Sequence, residues 1–329
     1  MRTFWPVMIA VLTAAAAGSP PQGWSDPRSG ELLQLHRNGA HLGPFDATMP
    51  SYIDMVVQRI KGNNTEVGKD PKMQHWCGSC YGMGSTAKIE NVRALLSSTI
   101  AKNVPGDFAE AGTWRGGMGI LARAVQWSAG EARHRRVYVS DSFGQGLPPN
   151  TTERDDNRWV RLNIGVSLNE VKENFNDFGL LDGGVHFVRG YFRYSLPLLR
   201  AHLQRGGRQL AVLRGDGDMY ESYLDTLYNL YDLLAIGGYF ICDDCAAIAM
   251  ARDAINDFRQ KHGIGEKIQI ASQPHLSRKE LPNAAAWFWQ KQRQVEVDYK
   301  WYRAWNATRE REKLEWKGRG CEGGRGEGR

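Results

Sequence analysis

An alternation of short apolar segments with amphipathic segments runs through this chain and constrains its fold more than any other feature. Between residues 107 and 271 the pattern predicts six strands, with a helix between each strand and the next. Repeated strand–helix units form a mostly parallel sheet with helices on both faces, so the predicted class is α/β. The predicted strands are Asp107–Ala111, Val137–Ser140, Val185–Val188, Leu210–Arg214, Tyr239–Cys242 and Lys267–Ala271.

The helices between these strands follow the same periodicity. Gly237-Gly238 is expected to end the fourth of them, and Ala284–Gln290 is predicted to add a final antiparallel strand at the edge of the sheet. The predicted helices are Met118–Ser128, Leu168–Phe178, Ser195–Gln204, a segment with Leu224, Leu227, Leu230 and Leu234 on one face, and Ala246–Lys261.

The length of 329 residues suits one large domain with additions at both ends. Residues 51–105 are predicted to be helical, with a glycine-rich lid at His75–Ser85. Residues 106–292 form the predicted main domain. Residues 293–329 are charged and end in low-complexity sequence, so we expect a solvated tail.

Residues 1–17 have the outline of a secretory signal peptide, because Arg2 precedes the apolar run Val7–Ala17. Residues 18–50 are rich in Gly and Pro and predict a poorly ordered leader. We therefore expect a location in the secretory pathway. No other segment is apolar enough to span a bilayer. The formal net charge is +6 without a basic motif interleaved with aromatic residues, so a nucleic-acid partner is not expected.

Acidic residues follow two neighbouring predicted strands. Asp216 comes directly after Leu210–Arg214, and Asp243 and Asp244 come directly after Tyr239–Cys242. Parallel strands end at the same edge of a sheet, so these carboxylates should crowd together and repel one another unless a cation neutralises them. Oxygen ligands of this kind suit Mg²⁺. Two further acids, Asp218 and Glu221, are interpreted as helix-start residues that complement the helix dipole.

The turn after the first strand indicates a cofactor site. It reads Glu110-Ala111-Gly112-Thr113-Trp114, and its spacing does not meet the G-x-G-x-x-G dinucleotide fingerprint. Glu110 would repel a pyrophosphate but would suit a cationic amino-acid group. Asp141 ends the next strand, where an acid can bind ribose hydroxyls. The alternative for Asp141 is a strand-end cap.

Four of the five cysteines form two C-x-x-C pairs, Cys77 with Cys80 and Cys242 with Cys245. This spacing is compatible with zinc, with disulfides or with free thiols, and the three alternatives stay open.

Several motifs resemble the macrocin O-methyltransferase family, which comprises S-adenosylmethionine- and Mg²⁺-dependent sugar methyltransferases. The resemblance covers roughly residues 52 to 290, with its motifs in the family's order. It implies a class I methyltransferase fold with a seven-stranded, Rossmann-like sheet. The matching segments are 106–117, 141–148, 166–171, 213–222 and 237–244.

The resemblance also implies roles for individual residues. The segment Glu110, Ala111, Gly112, Thr113 and Trp114 would line the methionine end of the cofactor. Asp141 and Ser142 would face its ribose, and Ser167 its adenine. Asp216, Asp243 and Asp244 would bind Mg²⁺, with Asp216 also accepting the proton of the hydroxyl that is methylated.

The implied acceptor is a sugar or another vicinal diol, either a small molecule or a glycan, and a homo-oligomer is expected. The alternative is a non-catalytic domain that binds the cofactor and the metal. The resemblance places Cys77 and Cys80 in the lid and Cys242 and Cys245 at the metal loop, which suggests a disulfide between lid and loop as a hypothesis.

Overall fold

The computed structural model describes residues 51–61, 80–82, 84–148, 152, 154–155, 164–272 and 285–309. The predicted signal peptide (1–17) and leader (18–50) lie outside the described residues, as does Cys77. The secretory location therefore stays a prediction. The homo-oligomer stays a prediction as well. Among the described residues, no helix combines the length and the apolar character needed to cross a bilayer.

Strands and helices alternate along the chain as predicted. The strands are β1 (Asp107–Ala111), β2 (Val137–Asp141), β3 (Val185–Arg189), β4 (Leu210–Gly215), β5 (Leu234–Cys242), β6 (Gln269–Ala271) and β7 (Ala286–Gln290). The helices are α1 (Tyr52–Lys61), α2 (Thr86–Ala101), α3 (Gly117–Ser128), α4 (Leu168–Asp177), α5 (Phe192–Arg205), α6 (Tyr220–Leu230), α7 (Ala249–Lys261) and α8 (299–309).

The seven strands form one sheet in the order β3-β2-β1-β4-β5-β7-β6. Strands β1 to β5 pair in parallel, and β7 pairs antiparallel with β5 and β6. One apolar cluster packs α1 to α4 against one face, and a second packs α5 to α8 against the other. The predicted α/β class and seven-stranded, mostly parallel sheet are therefore confirmed.

The strand order reverses between β1 and β4, since the chain runs outward through β2 and β3 on one side and returns to β4 on the other. In open parallel sheets, ligands bind beyond the carboxyl ends of the strands at such a reversal. The acidic turn after β4 and the glycine turn after β1 meet at this point.

Two predictions about β5 and β7 are wrong in detail. Gly237-Gly238 does not end a helix, because α6 ends at Leu230 and β5 begins at Leu234. The glycines lie inside β5, where its register with β4 shifts and where a Cβ on Gly238 would lie 2.7 Å from the carbonyl oxygen of Ala211. β7 is antiparallel as predicted, but β6 forms the edge of the sheet.

The predicted solvated tail is partly wrong, because α8 packs on α6. Tyr302 is 1% exposed, and its hydroxyl donates to Asp225 Oδ1 at 2.8 Å. Arg309 is 4% exposed and binds two acids of α6. The charged residues of 299–309 made this segment look solvent-exposed in the sequence. In the structure its buried cation, Arg309, pairs with buried acids.

Candidate active site

A cavity of about 270 Å³ opens at the carboxyl ends of β1, β2, β4 and β5. Predicted site residues on four different turns line it. Most of the other lining residues are apolar or come from α6. The predicted residues at the wall are Gly112, Trp114, Asp141, Ser142, Asp216, Asp243 and Asp244, and the others include Lys88, Leu147, Phe192, Asp218, Glu221, Asp225 and Ile248.

The three predicted metal ligands meet in this cavity. Asp216, Asp243 and Asp244 each offer an oxygen atom, and these atoms lie within 4.8 Å of one another. Asp244 Oδ2 also accepts hydrogen bonds from the Tyr223 hydroxyl at 2.8 Å and from the Asp218 amide at 3.0 Å. The donors fix this carboxylate against α6 and leave its other oxygen for a ligand.

A buried arginine, which was not singled out from the sequence, connects the cluster to β1. Arg214 is 3% exposed on β4. Its Nη2 lies 2.7 Å from Asp216 Oδ2 and 2.6 Å from Asp243 Oδ1, and its Nη1 lies 2.5 Å from Glu110 Oε1. An apolar strand interrupted by one arginine just before an acid was the available signal. The guanidinium holds the three carboxylates in fixed relative positions.

Lys88 is the second cation of the cluster and was also missed. It lies in the first turn of α2, is 8% exposed, and its Nζ lies 2.6 Å from Asp243 Oδ2. Among the described residues that line the cavity, Lys88 is the one that carries a positive charge. Five acids in the described part of the chain lie near these two cations, so negative charge remains in excess. The acids are Glu110, Asp216, Asp218, Asp243 and Asp244.

The pKa values reflect this excess of negative charge. Burial, reinforced by neighbouring carboxylates, raises the pKa of Asp218 and of Asp244 to about 7. Burial also raises the pKa of Asp216 well above its usual range. Although burial acts to raise it, the pKa of Asp243 is lowered to about 2, because Arg214 and Lys88 both bind this carboxylate. A divalent cation would relieve the remaining repulsion, so the cluster fits Mg²⁺ in ligand type and in charge.

Asp218 differs from its predicted role. It precedes α6 rather than starting it, and its backbone has a positive φ of 58°. Its carboxyl group lines the cavity and has no hydrogen bond or ion pair within the described part of the chain. Glu221 does lie in the first turn of α6 as predicted, but it is buried and paired with Arg309 Nη1 at 2.9 Å.

Cys242 and Cys245 form a disulfide with each other, with their Cα atoms 5.6 Å apart. The hypothesis that one of them is joined to the lid is therefore wrong. A zinc site on this pair is excluded for the same reason, because both sulfur atoms are in the disulfide. The bond closes the short loop that carries Asp243 and Asp244.

Asp141 organises the side of the cavity at which the cofactor is predicted to bind. Its Oδ2 accepts hydrogen bonds from the amides of Thr113 at 2.9 Å and Trp114 at 3.1 Å. Its Oδ1 accepts one from the Phe143 amide at 3.2 Å. The strand-end cap and the ligand role are thus compatible, since the carboxylate fixes two turns while it faces the cavity.

The structure does not bring every predicted cofactor residue to the cavity wall. Glu110 is 1% exposed, with its oxygens taken by Arg214 and by the Thr113 hydroxyl at 2.9 Å. Ser167 caps α4 by accepting a hydrogen bond from the Glu170 amide. Ala111 and Thr113 are buried behind the wall. Glu110, Ala111 and Thr113 therefore support the site from behind, whereas Ser167 is exposed at the start of α4.

The glycines of the turn approach the protein's own backbone rather than a ligand. A Cβ on Gly112 would lie 1.7 Å from the carbonyl oxygen of Asp216, and one on Gly117 would lie 2.6 Å from that of Tyr81. The Gly117 amide, at the start of α3, donates to the Tyr81 oxygen at 2.9 Å. The segment before α2 therefore packs directly on the start of α3, next to the turn 110–114 that is predicted to bind the cofactor (the cofactor turn).

Comparison with known proteins agrees with this geometry. A family model described as macrocin O-methyltransferase (TylF) matches residues 45–273. Demethyldecarbamoylnovobiocin O-methyltransferase of Streptomyces niveus is 39% identical over 199 residues, which cover 59% of this chain and 73% of that protein. Mycinamicin III 3''-O-methyltransferase of Micromonospora griseorubida is 37% identical over 190 residues, which cover 55% of this chain and 71% of that protein.

Solved structures show the same relationship. The O-methyltransferase NovP has a TM-score of 0.63 at 33% identity, covering 74% of this chain and 98% of that one. A calicheamicin methyltransferase shares the fold, with a TM-score of 0.51 at 15% identity, covering 85% of this chain and 96% of that one. The predicted class I methyltransferase fold is confirmed, and the non-catalytic alternative is not supported. The chain belongs to the macrocin O-methyltransferase family and is an S-adenosylmethionine-dependent O-methyltransferase.

Proposed function

We propose that this enzyme methylates a hydroxyl group of a sugar or another vicinal diol and that it requires Mg²⁺. The observation that carries the proposal is the position of Asp216, Asp243 and Asp244 in the same cavity as Asp141 and the cofactor turn. The ligand oxygens and the predicted cofactor acid lie on opposite sides of the strand reversal but at the same edge of the sheet, so the methyl donor and the acceptor would meet between them.

The donor set supports the metal part of the proposal. All three ligands are carboxylates, which hard divalent cations prefer. Their total negative charge exceeds the positive charge that Arg214 and Lys88 supply. A divalent cation bound there would supply a Lewis acid that lowers the pKa of an acceptor hydroxyl. Two neighbouring hydroxyls of one acceptor would fit such a site better than an isolated one.

The protein groups have three tasks in this reaction. Asp141 and the turn that it fixes orient the cofactor, whose methyl group is transferred. Asp243 and Asp244 would hold the metal and so would fix the place at which the acceptor lies. A carboxylate must also take the hydroxyl proton, and transfer then depends on an in-line approach of the acceptor oxygen to the methyl group.

Two residues compete for the role of proton acceptor. Asp216 was predicted, but its Oδ2 is bound by Arg214 at 2.7 Å. The Asp218 carboxyl lines the same cavity without such a partner among the described residues. The unpartnered carboxyl favours Asp218 as a second candidate.

The relatives support an acceptor that carries a sugar. Their names describe methylation of demethyldecarbamoylnovobiocin and of mycinamicin III, and a third relative, from Streptomyces olivaceus, is named for methylation of a tetracenomycin that carries a rhamnosyl group. In this chain the cavity continues from the acids to Leu147, Phe192 and Ile248, which would contact an apolar part of the acceptor.

The test combines cofactor binding with methyl transfer. Calorimetry should detect S-adenosylmethionine binding, and transfer of a labelled methyl group to a panel of glycosylated aromatic and macrolide acceptors should depend on Mg²⁺. Asp244→Asn should lower the transfer rate by at least about 100-fold and change cofactor affinity little. Glu173→Gln, at an exposed position of α4, is the matched control. Absence of cofactor binding with Mg²⁺ present would sink the proposal, and full activity of Asp244→Asn would remove its metal part.

A further inference from the structure

Lys88 occupies a position that is unfavourable for a lysine unless the acids compensate it. It lies in the first turn of α2, where the helix dipole repels a cation, and it is 8% exposed. Burying an ammonium group costs free energy unless it is paired. Within the described residues its Nζ has one hydrogen-bond partner, Asp243 Oδ2 at 2.6 Å.

Of the three predicted metal ligands, Asp243 is the one whose two carboxylate oxygens both bind a cation within the described residues. Arg214 Nη2 binds Oδ1 at 2.6 Å, and Lys88 binds Oδ2. A divalent cation that uses Asp243 must therefore bind an oxygen next to a protein cation, and the two positive charges compete for the same carboxylate.

The two protein cations differ in how firmly they are held. Arg214 lies on a central strand and binds Glu110 and Asp216 in addition to Asp243. Its planar guanidinium cannot leave one carboxylate without disturbing the others. Lys88 has a flexible side chain, a single partner in the cluster, and a place on the cavity wall. Lys88 is thus the cation that can be displaced.

We propose that Lys88 is a positioning residue that serves as a built-in counter-cation of the metal site. Its ammonium group holds Asp243 in the metal-free protein and is displaced from Oδ2 when a divalent cation binds. Lys88 thereby sets the affinity of the site for the metal. This inference rests on the metal part of the proposed function.

The competition has a defined direction. Removing the ammonium group removes a competitor for Asp243, so metal affinity should rise. Replacing it by a guanidinium, which can bind a carboxylate through two parallel hydrogen bonds, should make the competitor harder to displace. A lysine with a purely structural role would not produce opposite changes in the two variants.

The experiment measures Mn²⁺ binding to the full chain by electron paramagnetic resonance of the free ion, without cofactor or acceptor. Lys88→Met should bind Mn²⁺ roughly 5- to 150-fold more tightly than the unmodified protein, the usual range for coupling between two ligands. Lys88→Arg should bind it more weakly. Lys102→Met, at an exposed position just after α2, should leave the affinity unchanged.

Lys88→Met removes the partner of Asp243 Oδ2 and leaves one more negative charge uncompensated in the cluster, so folding of each variant is checked by thermal unfolding with and without Mn²⁺. If Lys88→Met folds only with Mn²⁺, the ion has replaced the lysine and the inference holds. If it does not fold at all, the weaker binding expected of Lys88→Arg decides the matter. Unchanged affinity in both variants, or weaker binding in a folded Lys88→Met, overturns the inference.

The same measurements separate this inference from the proposed function. If Mn²⁺ binds to Lys88→Met but not to the unmodified protein, Lys88 has the inferred role and the Mg²⁺ requirement fails. If neither binds Mn²⁺, the inference is overturned, while metal-free methyl transfer would still test the acceptor class independently.

Discussion

Arg214 Nη1 on β4 lies 2.5 Å from Glu110 Oε1 on the neighbouring strand β1, and both side chains are buried. The pair joins the cofactor turn to the acidic cluster, because the same guanidinium also binds Asp216 and Asp243. A residue that the family resemblance assigns to the cofactor thus has a structural partner on the opposite side of the strand reversal.

Glu110→Gln should therefore affect stability more than cofactor binding. The substitution removes one partner of a buried ion pair and should lower the free energy of unfolding by about 3 kcal/mol. Urea denaturation and calorimetry with S-adenosylmethionine measure the two effects separately. A stable variant with strongly weakened cofactor binding would instead assign Glu110 to the cofactor directly.

Asp141→Asn should weaken cofactor binding. The carboxylate accepts the Thr113, Trp114 and Phe143 amides, and an amide side chain can replace only one accepting oxygen. The predicted hydrogen bond from a ribose hydroxyl to this carboxylate would be weakened as well, and loss of a hydrogen bond to a charged group costs about 1.5–3 kcal/mol, or roughly 10- to 150-fold in affinity. Calorimetry with S-adenosylhomocysteine measures the change without turnover. An affinity equal to that of the unmodified protein would contradict the assignment.

Asp218→Asn should make the metal-free protein more stable at pH 8. The pKa of Asp218 is raised to about 7 in the folded protein, above its value of 3.8 in an unfolded chain. The folded state therefore retains the proton longer, and the stability contributed by this group falls as pH rises from about 4 to 7. Asparagine tolerates the positive φ at this position and does not ionise.

Urea denaturation in EDTA at pH 5, 6, 7 and 8 tests this expectation. The variant should gain on the order of 2 kcal/mol at pH 8, and the gain should shrink steadily as the pH is lowered towards 5. Stability curves that run parallel over this range would show that the carboxyl group is not under the expected repulsion. If Asp218 is the proton acceptor, the same variant should also be nearly inactive.

Arg309→Met should destabilise the protein strongly. Arg309 is buried with Nη1 2.9 Å from Glu221 Oε2 and Nη2 2.6 Å from Asp225 Oδ1. Its removal leaves Asp225 without its cation and leaves Glu221 with the longer ion pair to Arg193, at 3.7 Å. We expect a loss of about 3–5 kcal/mol in urea denaturation. The double variant Arg309→Met, Asp225→Asn should recover part of this loss, because Asp225 then carries no uncompensated charge and Glu221 keeps its ion pair with Arg193. Equal stability of the single variant and the unmodified protein would show that α8 does not pack on α6 in solution.

The sequence was informative wherever local pattern and strand order act together. The sequence placed Asp216, Asp243 and Asp244 at one site, because acids that follow neighbouring parallel strands must lie at the same edge of the sheet. Asp141 followed from the same argument.

Long-range pairing was not readable from local pattern. Arg214 appears in the sequence as a charge in a strand, and its three partners come from β1, the turn after β4 and the loop after β5. Lys88 and Arg309 are separated from their partners by 155 and 84 residues or more. Gly237-Gly238 was misread, because a break in periodicity predicts a helix end and a strand irregularity equally well.

Strand β7 completes the sheet between β5 and β6, although it follows both of them in the chain. The family match ends at residue 273, before β7 begins. Because β7 is synthesised last, the mostly apolar strand β5 has one unpaired edge until residue 290 is available. Strand β6 has no neighbouring strand until then. A fragment trimmed to the family match would keep that edge permanently, so recombinant fragments of this enzyme need to extend through β7 to avoid aggregation.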